Sequence, residues 1–210
     1  MEIKVHDIVR FASISNIETS MEIPEWVENS PASQHFGVVR RMPITNNIVP
    51  IGLRGDTREK RYGAFIHESN IMQVISPVSL VNRIEQFKEQ MYYHSLNNIK
   101  NEFEKHNLVW GPTGSAGFEI ATSIPVTTPN SDIDICLYLE EIDTELLVGI
   151  GQFLEGFDRR IDVQVEVPSI GAFILNDYLK NMKAGFIVKT KFGPHLCTIE
   201  NNRIKLGVNS

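Results

Sequence analysis

WGPTGSAGFEIATSIPVTTPNSDIDI (residues 110–135) and IDVQVEV (residues 161–167) are the two stretches around which this chain is organised. The first holds a Gly-rich turn followed by two aspartates, Asp132 and Asp134, with one apolar residue between them. The second places a third carboxylate, Asp162, on a run in which polar and apolar residues alternate. These residue types together predict a site where metal ions and a polyphosphate meet.

The two aspartates of the first stretch lie on a predicted β-strand, residues 132–139. Alternate residues of a strand face the same side, so Asp132 and Asp134 share one face while Ile133 and Ile135 point to the core. Carboxylates about 6.6 Å apart, at roughly 3.3 Å per residue, repel one another unless a cation lies between them. Hard divalent ions such as Mg²⁺ take oxygen ligands of this kind. The alternative is an exposed strand edge that carries two acids.

The second stretch predicts another strand with one polar face. Its alternation puts Asp162, Gln164 and Glu166 on one side and only apolar residues on the other. A face with three polar side chains needs water or a ligand against it. If this strand lies beside the first, Asp162 joins Asp132 and Asp134 around the same ions.

The turn before these strands predicts a phosphate contact. A Gly-rich turn that enters a helix leaves free backbone N–H groups pointing at one spot, with the positive end of the helix dipole behind them. Gly114 and Ser115 end such a turn, and residues 116–121 have the composition to open a helix. The turn is not a P-loop, since no lysine follows the second glycine. Taken alone, an ordinary turn is the alternative.

A local basic cluster stands upstream in this acidic chain. If residues 56–61 form a turn or two of helix, Arg54, Arg58 and Arg61 fall near one face. Guanidinium groups suit phosphate oxygens because they donate two parallel hydrogen bonds and keep their charge. The alternative is a solvated face with surface ion pairs to neighbouring acids.

The order of elements predicts an α+β fold in two parts. Residues 1–78 are typical of short strands and turns and are expected to form a small, mostly β domain. A long amphipathic helix is predicted from Pro77 to about residue 106, and the strands that follow are interleaved with helices, the last of them at residues 169–183. Residues 79–210 therefore predict a mixed sheet flanked by helices.

Composition narrows the class of protein. The 210 residues are 42% hydrophobic, the formal net charge is −6 and the sequence pI is ≈ 5.5, which disfavours a protein that coats nucleic acid. The sequence has no apolar run near the ~20 residues that span a bilayer, and its first residues lack the apolar core of a signal peptide. Cys136 and Cys197 stand outside any CxxC pattern, as expected of two reduced thiols. We expect a soluble cytoplasmic protein.

The order of these motifs resembles a known family. Gly114-Ser115, then Asp132-x-Asp134 and a later Asp162, resembles the nucleotidyltransferase superfamily of the polymerase-beta type. A closer resemblance, from about residue 36 to 193, is to the phosphoribosyl-dephospho-CoA transferases of malonate decarboxylase, also called its holo-acyl-carrier-protein synthases. Five segments carry it: VVRR (38–41), IGLRGDTREKR (51–61), WGPTGSAGFEIAT (110–122), SDIDICL (131–137) and RIDVQVEVPSIGAFIL (160–175).

The resemblance implies a reaction and its participants. A serine of the acyl carrier subunit attacks the innermost phosphorus of triphosphoribosyl-dephospho-CoA, and pyrophosphate leaves. It further implies two Mg²⁺ ions held by Asp132, Asp134 and Asp162, with Asp162 nearer the serine, where it helps to remove the proton.

Roles for the remaining site residues follow from the same resemblance. Gly114 and Ser115 are expected to hold the pyrophosphate, and Arg54, Arg58 and Arg61 to reach the donor's phosphates across a closed cleft. Two alternatives stay open: a nucleotidyltransferase that moves AMP from ATP, and a non-catalytic module that chaperones the carrier.

Overall fold

The computed structural model describes residues 2–57, 59–200 and 203–206. In this part of the chain two β-sheets form, and helices pack mainly with the second. The strands of the first sheet are β1 (Ile8–Phe11), β2 (Ile17–Glu18), β3 (Phe36–Val39), β4 (Ile48–Arg54), β5 (Arg61–His67) and β6 (Ile71–Ile75). Their order is β2-β5-β4-β3-β1-β6, and every pairing is antiparallel.

The second sheet has one parallel pair of strands near one of its edges. Its strands are β7 (Val109–Pro112), β8 (Ile133–Tyr138), β9 (Ile161–Val167), β10 (Gly171–Ile174), β11 (Phe186–Thr190), β12 (Gly193–Glu200) and β13 (Arg203–Leu206). The spatial order is β13-β12-β11-β10-β9-β8-β7. Only β8 and β9 run parallel among these described strands, since a helix crosses over between them. The predicted α+β class is confirmed.

The helices start where the sequence offers caps. They are α1 (Glu25–Asn29), α2 (Pro31–His35), α3 (Pro77–Leu80), α4 (Tyr93–Lys105), α5 (Gly114–Thr122), α6 (Thr144–Leu154) and α7 (Leu175–Asn181), with 3₁₀ turns at Ile14–Asn16, Glu68–Asn70 and Val81–Phe87. Ser76 caps α3 and Asp143 caps α6, each accepting a backbone N–H three residues on. No helix in the described ranges is long and apolar enough to cross a bilayer.

Some sequence-based boundaries are wrong. The long helix expected to run to residue 106 is broken, because 3₁₀ geometry replaces α-helix over Val81–Phe87 and α4 begins only at Tyr93. Residues 171–174 form strand β10 rather than helix, since Ala172 and Phe173 are fully buried in register with β9. Tertiary pairing here overrides the local pattern.

The expected short helix over residues 56–61 is also wrong. Arg54 ends β4 and Arg61 begins β5, and the two are cross-strand partners in a hairpin. The ends of the connection between them are held together by the Gly55 N–H, which donates to the Lys60 carbonyl at 2.9 Å. The two arginines therefore meet through sheet register rather than helical periodicity.

The two sheets share part of one core. The larger cluster of buried apolar residues centres on β7–β9, α4 and α5, but it also takes in Ile8 and Ile75 from the first sheet and Ala32 from α2. A smaller cluster lies inside the first sheet around Ile51 and Ile66. Division into units at residues 1–78 and 79–210 stays a prediction, and apolar packing crosses that boundary.

Candidate active site

A cleft of about 710 Å³ lies between the two sheets. The first sheet contributes the hairpin β4–β5 and the end of β3 to its lining, and the second contributes the turn before α5 and the adjoining ends of β8 and β9. Three acidic or turn residues expected from the sequence line this cleft: Gly114, Asp134 and Asp162. Arg54 and Arg61 line it from the opposite side.

The parallel register of β8 and β9 sets the acidic wall. Asp134 and Asp162 are direct partners in this register, on strands that are about 4.8 Å apart. Both side chains are partly buried. The Thr113 N–H donates to the Asp134 carbonyl at 2.8 Å, which fixes the Gly-rich turn against the end of β8. The predicted convergence of these two aspartates is present in the fold.

Asp132 is placed differently. It lies one residue before β8 and is not part of the cleft lining. The pKa of Arg160 is raised mainly by its hydrogen bond to Asp162, and the negative charge of Asp132 adds to this effect. The carboxylate oxygens of Asp132, Asp134 and Asp162 do not all lie within 4.8 Å of one another. Among the described residues, the one group of three possible ligands that close together is His6, Cys136 and Glu166. One Asp162 oxygen instead accepts from the Arg160 Nε at 2.9 Å.

These oxygen donors nonetheless suit a hard divalent cation. Asp134 and Asp162 are neighbours in register whose side chains point to the same side of the sheet, and Asp132 lies two residues before Asp134, just outside the strand. The ion pair with Arg160 is largely exposed on the arginine side, so exchange of Arg160 for a cation costs little. The metal role of the three aspartates stays a prediction.

The turn at Gly114-Ser115 is the start of α5, as the sequence suggested. Gly114 adopts a φ of 58°, and a Cβ there would overlap the Asp134 carboxylate. Only glycine therefore lets the turn approach the acid this closely. Ser115 follows in the first turn of the helix, where backbone N–H groups lack partners within the helix. Its Oγ accepts a hydrogen bond from the Arg54 Nη2 at 3.2 Å.

Arg54 is a buried cation at the base of the cleft. It is 7% exposed, its guanidinium lies 5.0 Å from the ring centre of Phe118, and its buried Nε has no hydrogen-bond partner among the described residues. Burial and repulsion from Arg61 lower the pKa of Arg54 from 12.5 to about 10, although Glu119 and Asp134 partly oppose this. Such a group favours an anionic ligand that would satisfy its charge and its free N–H. Arg58, the third predicted arginine, lies outside the described residues.

A second polar cluster joins the sheets at the far end of β9. Glu166 pairs with Arg41, and its Oε1 lies 3.5 Å from the His6 Nε2 and accepts from the Gln164 Nε2 at 2.8 Å. Burial raises the pKa of Glu166, but hydrogen bonds from His6 and Arg41 outweigh it, so the pKa is lowered overall.

The same cluster includes a thiol, Cys136, within metal-binding distance of His6 and Glu166. Burial raises the pKa of Cys136, so the thiol keeps its proton at neutral pH. The guanidinium of Arg41 already neutralises Glu166. A metal ion would have to displace the Arg41 guanidinium and the proton of the Cys136 thiol. The cluster is therefore a polar contact between the sheets rather than a metal centre.

The sequence interpretation missed several residues of the cleft. His6, Arg40 and Lys189 line it, yet none was assigned a role from the sequence. A signal existed only for Arg40, which is part of the VVRR segment just upstream of the basic cluster. The other two reach the cleft from distant positions in the chain, and no local pattern marks them.

Comparison with known proteins covers almost the whole chain. Residues 4–77 match the family model described as the phosphoribosyl-dephospho-CoA transferase MdcG N-terminal domain, and residues 79–200 match the corresponding C-terminal domain. A protein of Klebsiella pneumoniae named phosphoribosyl-dephospho-CoA transferase is 32% identical over 200 residues, which cover 91% of this chain and 92% of the relative.

Relatives of the same name occur in other bacteria. A protein of Pseudomonas putida is 30% identical over 195 residues, with 91% of both chains covered. One of Azotobacter vinelandii is 27% identical over 178 residues, with 82% of both covered. A comparison with solved structures finds no match.

Proposed function

This chain belongs to the phosphoribosyl-dephospho-CoA transferase MdcG family, and on that premise we propose that it transfers phosphoribosyl-dephospho-CoA from triphosphoribosyl-dephospho-CoA to a serine of the malonate decarboxylase acyl carrier subunit. Pyrophosphate is the other product. The observation that carries the proposal, beside the family, is the cleft in which the aspartate pair faces the arginine pair. The aspartates are suited to bind metal cations on one side of the cleft, and the arginines are suited to bind phosphates on the other.

The bond changes are those of a displacement at phosphorus. The serine oxygen forms a bond to the innermost phosphorus of the triphosphate, and the bond from that phosphorus to the oxygen of the departing pyrophosphate breaks. The serine proton passes to a base, and Asp162, on the acidic wall, is the proposed acceptor. Catalysis of this kind depends on positioning and charge neutralisation more than on covalent chemistry with the protein.

The residues of the cleft have distinct proposed roles. The backbone N–H groups at Gly114 and Ser115, at the start of α5, bind the departing pyrophosphate together with Arg54 and Arg61. Arg54 is suited to this role because its buried Nε has no hydrogen-bond partner within the described part of the chain. Binding there also relieves the repulsion between the two paired arginines.

Magnesium is the proposed cofactor. Asp134 and Asp162 would hold it, and Asp132 would join them by rotation of its side chain; two ions are expected. When bound, magnesium neutralises charge on the phosphate oxygens and orients the attacking and leaving groups. The cytoplasm is the proposed location, which the two free cysteines favour.

Mass spectrometry of the carrier tests the reaction directly. The purified chain is incubated with the apo carrier subunit, triphosphoribosyl-dephospho-CoA and Mg²⁺, and we expect the carrier to gain the mass of phosphoribosyl-dephospho-CoA. Replacement of the donor by ATP tests for transfer of AMP. A carrier mass that stays unchanged with the donor, or that increases with ATP instead, contradicts the proposal.

The Asp134→Asn variant tests the site. We expect it to fold normally and to lose at least about a hundredfold in transfer rate, because removal of one charge-stabilising group costs roughly 10²–10³ in turnover. Asp158→Asn is the matched control, since Asp158 is exposed and outside the cleft lining. If Asp134→Asn retains most of its turnover at saturating Mg²⁺, Asp134 is not part of the site.

A further inference from the structure

The side chain of Arg40 lies over two paired glycines in the wall of the cleft. Gly52 of β4 and Gly63 of β5 are direct cross-strand partners, and both line the cleft together with Arg40. A Cβ at Gly63 would lie 2.5 Å from the Arg40 Nη1, and a Cβ at Gly52 would lie 3.7 Å from its Cδ. The arginine side chain therefore runs over Gly52 and seats its guanidinium on Gly63, where any larger residue would displace it.

The register of this hairpin places Arg40 next to the other cations of the cleft. Arg54 and Arg61 form the cross-strand pair two residues along from Gly52 and Gly63, on the same face of the sheet. That separation is about 6.6 Å at roughly 3.3 Å per residue, comparable with the length of a linear triphosphate. Three arginines are thus anchored along one face of this hairpin, on the side of the cleft that the first sheet contributes.

The neighbouring Arg41 shows that this placement is specific to Arg40. Arg41 is 16% exposed and pairs with Glu166, which uses its charge inside the protein. Arg40 is exposed to the cleft and forms no ion pair with any described acid. An arginine held over glycine backbone without a counter-ion, beside a buried arginine with an unsatisfied Nε, is available to an anionic ligand.

We propose that Arg40 is the third cation of a polyphosphate site, and that its seat on Gly52 and Gly63 makes this cleft bind a chain of linked phosphates in preference to a single phosphate. The inference rests on the proposed function for the identity of the ligand, the triphosphate end of the donor. The three arginines bind linked phosphates at both ends of this group, whereas a single phosphate contacts only one end.

Binding of inorganic phosphates to the full chain measures this without any transfer reaction. Isothermal titration calorimetry compares tripolyphosphate, pyrophosphate and orthophosphate at one ionic strength. We expect tripolyphosphate to bind at least tenfold more tightly than orthophosphate. Arg40→Ala should weaken tripolyphosphate by roughly tenfold or more, as expected for loss of one charge-assisted contact, and leave orthophosphate nearly unchanged. Arg10→Ala, which removes an exposed arginine outside the cleft lining, controls for net charge.

Two glycine substitutions separate the position of Arg40 from its charge. Gly63→Ala pushes the guanidinium off its seat while every charge is kept, and we expect it to reproduce the loss seen for Arg40→Ala. Gly52→Ala adds the same methyl group to the partner strand but makes only ordinary contact with Arg40, so it should bind like the wild type. Thermal melting checks that each variant is folded.

The outcomes separate this inference from the proposed function. Arg40→Ala and Gly63→Ala proteins that bind tripolyphosphate as the wild type does overturn the role of Arg40, even if transfer to the carrier occurs. Arg40→Ala and Gly63→Ala proteins that no longer prefer tripolyphosphate over orthophosphate, while Gly52→Ala keeps this preference, support the role of Arg40 even if no transfer to the carrier is detected. If Arg40→Ala and Arg10→Ala lose the same affinity for tripolyphosphate, the effect is one of net charge and the role of Arg40 is overturned.

Discussion

The buried Arg54 carries a prediction about stability that can be worked from the structure. Its cation is almost fully removed from water, and the fold supplies no carboxylate in direct contact to compensate among the described residues. The lowered pKa, from 12.5 to about 10, means that the charged form is less stable in the fold than in the unfolded chain at any pH below about 10. We therefore predict that Arg54→Met does not destabilise the free protein.

The magnitude follows from opposing contributions. A fall in pKa from 12.5 to about 10 corresponds to a cost of about 3 kcal/mol, at about 1.4 kcal/mol per pKa unit. The contact with Phe118 and the hydrogen bond to Ser115 offset roughly 1–2 kcal/mol of it. Arg54→Met, which keeps the apolar stem, should therefore be about 1–2 kcal/mol more stable, or roughly 2–8 °C higher in Tm. A structural arginine in a buried ion pair would instead cost about 3–5 kcal/mol.

Urea denaturation and thermal melting, each with and without pyrophosphate, check the prediction. The wild type should gain stability with pyrophosphate, and Arg54→Met should gain much less, because bound anion no longer relieves a buried charge. Lys60→Met, a substitution of a partly exposed cation in the adjoining turn, is the control. An Arg54→Met protein destabilised by 3 kcal/mol or more would refute the reasoning and make Arg54 a structural residue.

Three further predictions concern the same cleft. Gly114→Ala should abolish transfer and lower Tm by a few degrees, since its Cβ displaces Asp134 and its φ of 58° is strained, while Gly149→Ala, whose Cβ meets nothing within 4 Å, should retain activity. Asp162→Asn should lower turnover in the carrier assay far more than Arg160→Gln; equal effects would reduce Asp162 to an ion-pair partner. Glu166→Gln should cost about 3 kcal/mol in urea denaturation at pH 7 because it leaves the largely buried Arg41 without its ion-pair partner. The lowered Glu166 pKa contributes stability above its ordinary value of 4.5 that is lost as the pH falls through the folded value, so this difference should shrink in acid, and a constant difference would contradict the ion pair.

Local periodicity explains what could be predicted from the sequence. The alternation in residues 161–167 placed Asp162, Gln164 and Glu166 on one face, and in the structure none of these three is fully buried whereas Val163 and Val165 are. Strand alternation depends only on neighbouring residues, so it can be recognised from the sequence alone. The Gly114 turn was also visible, because a glycine before a helix start is a local signal. The α+β class followed from the order of such elements.

Where local signals competed, the interpretation was wrong. Residues 171–174 were assigned to a helix, yet they pair with β9, and burial of Phe173 between neighbouring strands decided their conformation. Arg54 and Arg61 were expected on one helical face and instead meet across a hairpin. Their proximity was predicted for the wrong reason, since a spacing of seven residues fits both arrangements.

By itself the sequence determined which residue types this protein offers and which of them share a face: acids on two strands, a glycine turn before a helix, and a cluster of arginines upstream of both. Only the tertiary structure decided that Asp134 and Asp162 are partners in a parallel pair, that Arg40 rests on Gly63, and that both walls enclose one cleft. The physical reason is that strand register and the packing of one sheet against another are set by contacts between residues far apart in the chain. A short stretch of sequence does not show which distant residues it will be buried against.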